Sequence, residues 1–376
     1  MFKKISIIFL FFFLVSLNLF ANNENYVRVA ILDAENCILT IIGKYEILDY
    51  KTGNLLYSSK KNLYDVKVLV DESGNIKIGN LDLKGSSFKI KSSKVASLYI
   101  NKRKFRGLIY LIPKNKNVLV VNSLNVEDYV KGVLYNEVSH FWPLEALKAQ
   151  AIVSRTFVLY QKELNANKDF DVTNDIYSQV YKGYLSERSR TNIAVNRTRG
   201  EILTYKEKNI PAFCHATCGG RTEDATNLWN IDIKPLDGVV CNFCKGSPHF
   251  FWEKSMPLKE FVEKLNEIGF KVSNIKEVSI AQRTSSGRIA KLKVIDENQS
   301  FLISAKDFRQ TLHPNFIRST NFFTEIKDGT IYFKGLGWGH GVGFCQWGAY
   351  FMSKKGYRAE QILKYYYPGI NISRTN

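Results

Sequence analysis

Acidic residues are scarce in this chain. Its 35 Asp and Glu stand against 53 Lys and Arg, a formal charge of +18 over 376 residues. Such a chain favours polyanionic partners, but the excess is spread along the sequence, so charge alone selects none of them. Phosphate-binding signatures are missing too. There is no Walker pattern, and the glycine-rich stretch 335–348 offers no G-x-G-x-x-G frame and no acidic residue at ribose spacing. Both nucleotide-binding readings are thereby set aside. No internal repeat or low-complexity tract occurs, which excludes solenoid architectures. Beyond residue 21 no run is apolar enough to span a membrane. What remains, 45% hydrophobic and 23% charged residues, is the composition of a folded globular protein. Its length suits one large or two ordinary domains.

Residues 1–21 read as a secretory signal. Lys3 and Lys4 precede an apolar core, Ile5 to Phe20, and Ala21 is a small residue for cleavage. The alternative is an uncleaved anchor. That core is at the short end for a spanning helix, which needs about 20 residues, and Leu19 fits a small-residue cleavage pattern poorly. An exported chain meets the cell envelope before nucleic acid. The periplasm, cell wall or envelope is its expected location, and nucleic acid is not an expected partner.

The expected fold class is α+β. Residues 26–122 are short runs rich in β-branched and aromatic residues, such as YVRVAIL, DVKVLV and NVLVVNSL, with turns at Thr52-Gly53-Asn54 and Ser73-Gly74-Asn75. They predict an antiparallel N-terminal β unit without a catalytic constellation, and place Cys37 in a core strand. Residues 123–376 should form a helical central cleft with a Gly-rich loop. Asn125 caps the first helix, with Asp128 three residues later. Val126, Tyr129, Val130, Val133 and Leu134 follow at helical spacing, and the helix stops near Tyr135-Asn136. Trp142-Pro143 opens a second helix with Pro at the first helical position. Ala146 and Ala149 give that helix a side suited to close packing. Residues 253–335 read as an α+β insertion whose first helix is capped by Ser255.

Between the two central helices lies Glu137, with His140, Phe141 and Trp142 just beyond. A carboxyl on a rigid connection beside apolar walls has its pKa raised, as a general acid near neutral pH requires. The plain alternative is an exposed Glu in a turn. Tyr177, Gln179 and Tyr181 offer aromatic faces and an amide suited to sugar rings, or else they pack a strand. In the Gly-rich loop, Trp338, His340 and Gln346 display similar groups, and His340 is equally readable as a structural histidine. His215-x2-Cys218 and Cys241-x2-Cys244 are close-spaced pairs able to close a tetrahedral Cys3His zinc site. Cys214 and His249 are spare candidates. Export makes disulfides the competing reading.

The stretches NSLNVEDYVKGV, NE, WPLEALKAQA and SRTF, and far downstream GWGHGVGFCQWGA (337–349), resemble the signature motifs of the SpoIID/LytB family of bacterial cell-wall proteins. That resemblance implies a lytic transglycosylase that cuts peptidoglycan glycan strands, with Glu137 at the position of the catalytic Glu and the Gly-rich loop near the cleft. It implies a structural zinc in some members. It also implies a second possibility, since the LytB branch is associated with glycan binding that stimulates an amidase partner. A zinc metallohydrolase acting on wall peptides is a third reading. Peptidoglycan carries lactyl and peptide carboxylates, so a basic surface suits it.

Overall fold

Alternation along the first strands sets up the N-terminal half. Tyr26–Ala34 and Asn36–Ile42 bury every second residue, so each turns one face to a core. The structure, a computed structural model, describes residues 25–375, and the secretory signal expected at 1–21 lies outside them. Two sheets share this core. One has seven strands in the order Val172–Thr173, Tyr26–Ala34, Asn117–Asn125, Leu108–Lys114, Phe88–Ser92, Tyr45–Asp49, Leu55–Ser59. It is antiparallel except at its first pair. The other orders Ile76–Ile78, Leu63–Val70, Asn36–Ile42, Ser97–Ile100 and Arg103–Phe105. Asn117–Asn125 is buried continuously from Val118 to Leu124 because it touches both the second sheet and the helix that follows it.

The α-helices among the described residues are α1 Val126–Glu137, α2 Leu144–Leu164, α3 Ser189–Arg197, α4 Thr226–Trp229, α5 Leu258–Glu267, α6 Ala305–Thr311, α7 Gln346–Lys354 and α8 Ala359–Tyr366. Asn125 caps α1, its Oδ1 accepting from the Glu127 N–H at 2.9 Å. The apolar residues read from the sequence all face inward. α1 runs on through Glu137, further than its periodicity predicted, and ends where Val138 turns extended. Pro143 is the N-cap of α2 rather than its first helical residue. α2 is the central helix. It packs against α1, α3, α7, α8 and the strand Glu201–Tyr205, and Ala146, Ala149 and Ala151 are buried where these neighbours approach.

A buried ion pair joins the two central helices. Arg155 Nε and Nη2 each donate to a Glu127 oxygen at 2.8 Å, the Gly200 N–H adds a third bond, and Arg155 Nη1 reaches the Glu201 carbonyl. Removing one member leaves a charge in the interior without its counter-ion, which costs about 3–5 kcal/mol. Arg155→Ala should therefore lower stability by that order in denaturant unfolding. A loss under 1 kcal/mol would contradict the pair's role.

Residues 251–336 build their own core around Trp252, Phe261, Leu292, Phe308, Phe322 and Phe333. Two three-stranded antiparallel sheets carry it. One is Phe251–Pro257, Thr330–Leu336 and Phe322–Lys327. The other is Ile275–Arg283, Ile289–Asp296 and Ser300–Ser304. Ser255 does not cap α5. It lies within a strand opposite Tyr332, and Pro257 takes the N-cap. Pairing of Phe251–Pro257 with Thr330–Leu336, continued by the Leu258 N–H onto the Gly329 carbonyl, won over the local capping signal.

Candidate active site and metal centre

Glu137 is the last residue of α1 and is half-buried. Its Oε1 accepts from the Val180 backbone N–H at 3.4 Å and its Oε2 from Gln346 Nε2 at 3.2 Å. Burial raises the carboxyl pKa, and the two hydrogen bonds pull partly the other way. The result is a single carboxyl fixed at both oxygens. The donor Gln346 comes from the start of α7 and is itself buried. Because Gln346 favours the charged form, Gln346→Ala should move the Glu137 pKa further up. The alkaline limb of any Glu137-dependent activity would then shift to higher pH. A pH–rate profile that stays in place or moves to lower pH would refute this.

From Gln346 a strip of half-exposed rings leads outward. Trp347 packs on Trp142 with ring centres 5.1 Å apart and approaches His249 at 6.2 Å. His249 meets Trp338 edge-on at 4.7 Å. Trp142 thus belongs to this strip, while Phe141 is 80% exposed beyond it. Tyr177 is 70% exposed, and its hydroxyl accepts from Gln310 of the 251–336 segment at 2.9 Å.

The other expected sugar-facing residues sit elsewhere. Tyr181 is in the core, not on a cleft wall. It stacks on Tyr129 at 5.3 Å and donates its hydroxyl hydrogen to Asn122. Gly132 makes room for its ring, since a Cβ there would lie 2.5 Å from the Tyr181 edge. Gln179 is buried and accepts from the Tyr129 hydroxyl. Both follow from a segment that folds back under α1 instead of lying across the surface.

His340 is held at both nitrogens. Nε2 lies 2.9 Å from the Cys214 carbonyl, and Nδ1 accepts from the Val342 N–H at 3.1 Å. This pattern demands the neutral ring with its proton on Nε2. Burial, followed by the charge of Arg309, pushes its pKa down to about 3. Phe213, Trp229 and His215 surround it. Neither nitrogen is left to meet a substrate, so His340 shapes the Gly-rich loop.

Four buried sulfurs converge, from Cys218, Cys241, Cys244 and Cys345, all within 4.8 Å of one another. A zinc with bonds of about 2.3 Å places tetrahedral sulfurs about 3.8 Å apart, so this donor set fits one ion. Cys218 Sγ lies 3.4 Å from Cys244 Sγ, well beyond a disulfide bond. All six cysteines are free. The Cys218 N–H points at Cys345 Sγ at 3.3 Å, and the Tyr366 hydroxyl meets Cys241 Sγ at 3.1 Å.

Cys345 occupies the place expected for His215. Cys214–His215 pairs in parallel with Phe344–Cys345, and this register turns the His215 ring away, its Nδ1 onto the Val342 carbonyl. Cys214 lies on the other side, beside Gln150 and Gln346. Burial and the Glu137 charge push its thiol up to about 12. His249 belongs to the aromatic strip. Arg288 is buried behind the cysteines, donating to the carbonyls of Cys218 and Arg221. Gly341 must be glycine there, since a Cβ would lie 2.3 Å from the Arg288 guanidinium carbon. Gln346 was among the candidates of the Gly-rich loop, whereas its neighbour Cys345 in FCQW was not, because its partners lie across the chain, where spacing arguments do not extend.

Comparison with known proteins accords with this geometry. The family model described as Stage II sporulation protein matches residues 114–205, which hold α1, α2 and Glu137. A domain of unknown function matches residues 240–343. An uncharacterized protein of Brachyspira hyodysenteriae is 36% identical over 93% of both chains. Stage II sporulation protein D of Bacillus amyloliquefaciens is 32% identical over 68% of this chain and 76% of its own length. The amidase enhancer of Bacillus subtilis is 26% identical over 84% of this chain and 51% of its own. With a relative so matched over most of its length, and the family's segment carrying the candidate carboxyl, the chain belongs to the SpoIID family of stage II sporulation protein D, a family with a cell-wall-related role.

Proposed function

We propose that the protein is an exported lytic transglycosylase that cuts peptidoglycan glycan strands, with Glu137 as its general acid and base. The observation that carries this reading is the lone carboxyl fixed by Gln346 and Val180, its pKa raised by burial, at the head of an aromatic strip suited to sugar faces. Glu137 enters protonated. It gives its proton to the glycosidic oxygen as the bond from the anomeric carbon breaks. The resulting carboxylate takes the proton of the same sugar's 6-hydroxyl as that oxygen bonds to the anomeric carbon. The products are a 1,6-anhydro end and a strand with a free hydroxyl. Neither water nor a second carboxylate is needed, unlike the two-carboxylate glycosidases.

The cysteine tetrad is proposed to hold zinc through Cys218, Cys241, Cys244 and Cys345. Bound there, the ion supplies a cross-link, since four protein ligands leave no position for a reacting water. It would tie the segment after Cys214–His215 to the start of α7, and so fix Gln346 against Glu137.

The test is digestion of purified peptidoglycan read by mass spectrometry, where new 1,6-anhydro ends are expected. Likeness to an amidase enhancer favours a second reading, a glycan-binding protein that stimulates a wall amidase. Stimulation of an amidase that persists after Glu137→Gln, with no anhydro ends from the parent, would select that reading.

A further inference from the structure

The four arginines of the 251–336 segment, Arg283, Arg288, Arg309 and Arg318, make no ion pair among the described residues. Arg283, Arg288 and Arg309 each give guanidinium N–H groups to backbone carbonyls, although the Arg288 Nε is left without a partner, whereas no Arg318 guanidinium N–H meets a protein acceptor among the described residues. Burial, followed by the Arg288 charge, holds Arg309 down to about 10. Arg318 is different. Its guanidinium lies 4.7 Å over the Trp338 ring, and its Nε is buried with no hydrogen-bond partner. Its backbone is fixed, because the Arg318 carbonyl accepts from the Gly339 N–H at 2.8 Å. Glu223, whose backbone bonds the Gly-rich loop, is engaged elsewhere: it is buried and accepts from Thr284, Ser286 and Asn227.

A guanidinium has five donors and no acceptor, and an unmet buried donor is costly. Stacked on an indole, it keeps an edge for a planar anion, where two parallel N–H groups match a carboxylate. The strip Trp347, His249, Trp338 leads to it from Gln346, the residue that holds Glu137. The same segment reaches Tyr177 through Gln310. Resting on the glycan-cleaving or glycan-binding reading above, we infer that Arg318, seated on Trp338, receives a carboxylate carried by the glycan strand. Two sources share that chemistry: the lactyl carboxylate of a strand without peptides, and the carboxylates of a stem peptide.

The experiment is calorimetric binding with the full chain carrying Glu137→Gln, so that strands are not cut. Three glycans serve as probes: strands without peptides, strands with stem peptides, and peptide-free strands whose carboxylates have been amidated. The parent should prefer at least one carboxylate-bearing strand over the amidated one by at least about tenfold, and which one identifies the source. Arg318→Gln should lose that preference while binding the amidated strand as the parent does. Arg318→Lys should keep part of it, and serves where the Gln variant does not fold. Equal binding of all three strands by the parent, or an unchanged preference in Arg318→Gln, overturns the inference. Selective binding by a chain that never yields anhydro ends would sink the cleavage reading and leave this one standing.

Discussion

Replacing Cys345 with serine should lower the melting temperature by on the order of 10 °C and abolish stoichiometric zinc. The ligand set explains the size of the effect. Apparent binding energies of structural zinc reach about 10–16 kcal/mol, and that energy is folding energy where the site forms only in the folded chain. The cysteines lie on segments far apart in sequence, so the ion would close long loops. Chelation should act in the same direction. Cys214→Ser and His215→Ala remove a thiol and an imidazole from the same neighbourhood, yet neither faces the tetrad, so zinc content should be unchanged in both. Protein made in its own compartment with no zinc, or a Cys345→Ser variant that melts like the parent, would dispose of the assignment.

Glu137→Gln should reduce release of anhydro sugars by about 10²–10⁴-fold while leaving the fold intact. Gln preserves shape and can still meet the Val180 N–H, but it holds no transferable proton. Its pH dependence has a definite sign. Burial raises the folded-state pKa of Glu137, so the active acid form persists to higher pH than for an ordinary Glu. Activity should fall as pH rises through that raised value. Stability follows the same linkage: the protonated group costs nothing below its unfolded pKa, and ionising it in the fold becomes unfavourable as pH climbs through the folded pKa. The Gln variant should lack that alkaline loss. Anhydro products at the parent rate from Glu137→Gln would end the assignment.

Local periodicity made much of the framework legible. The α1 stripe from Val126 to Leu134 and the small residues of α2 came directly from spacing, and both face inward. So did the first strands. Long-range register was not legible. Cys345 joins the tetrad only because Phe344–Cys345 runs parallel to Cys214–His215, and no pattern within either segment encodes that pairing. His215 sat at plausible ligand spacing from Cys218, yet spacing does not fix which way a ring turns. Tyr181 failed as a surface residue because aromatic residues serve cores and sugar faces equally well, and Gly132 leaves a cavity for it. The Glu127–Arg155 pair lay inside recognisable motifs, but its role needed two helices to be brought side by side.

The parallel pairing of Cys214–His215 with Phe344–Cys345 also governs when the protein can become competent. Glu137 is 209 residues from the amide that holds it, and the 251–336 core lies in sequence between Cys244 and Cys345 of the cysteine cluster. A nascent chain emerging N-terminus first exposes α1 and α2 early, but without α7 the carboxyl has neither its Gln346 partner nor the Trp347 strip. Contacts so distant along the chain form slowly, because loop closure precedes their reward. The intervening unit shortens that search by folding on itself and bringing its ends together, since Phe251–Pro257 pairs with Thr330–Leu336. Assembly of the site is thus tied to its C-terminal part: the Glu137 carboxyl meets its Gln346 partner only once α7 is in place.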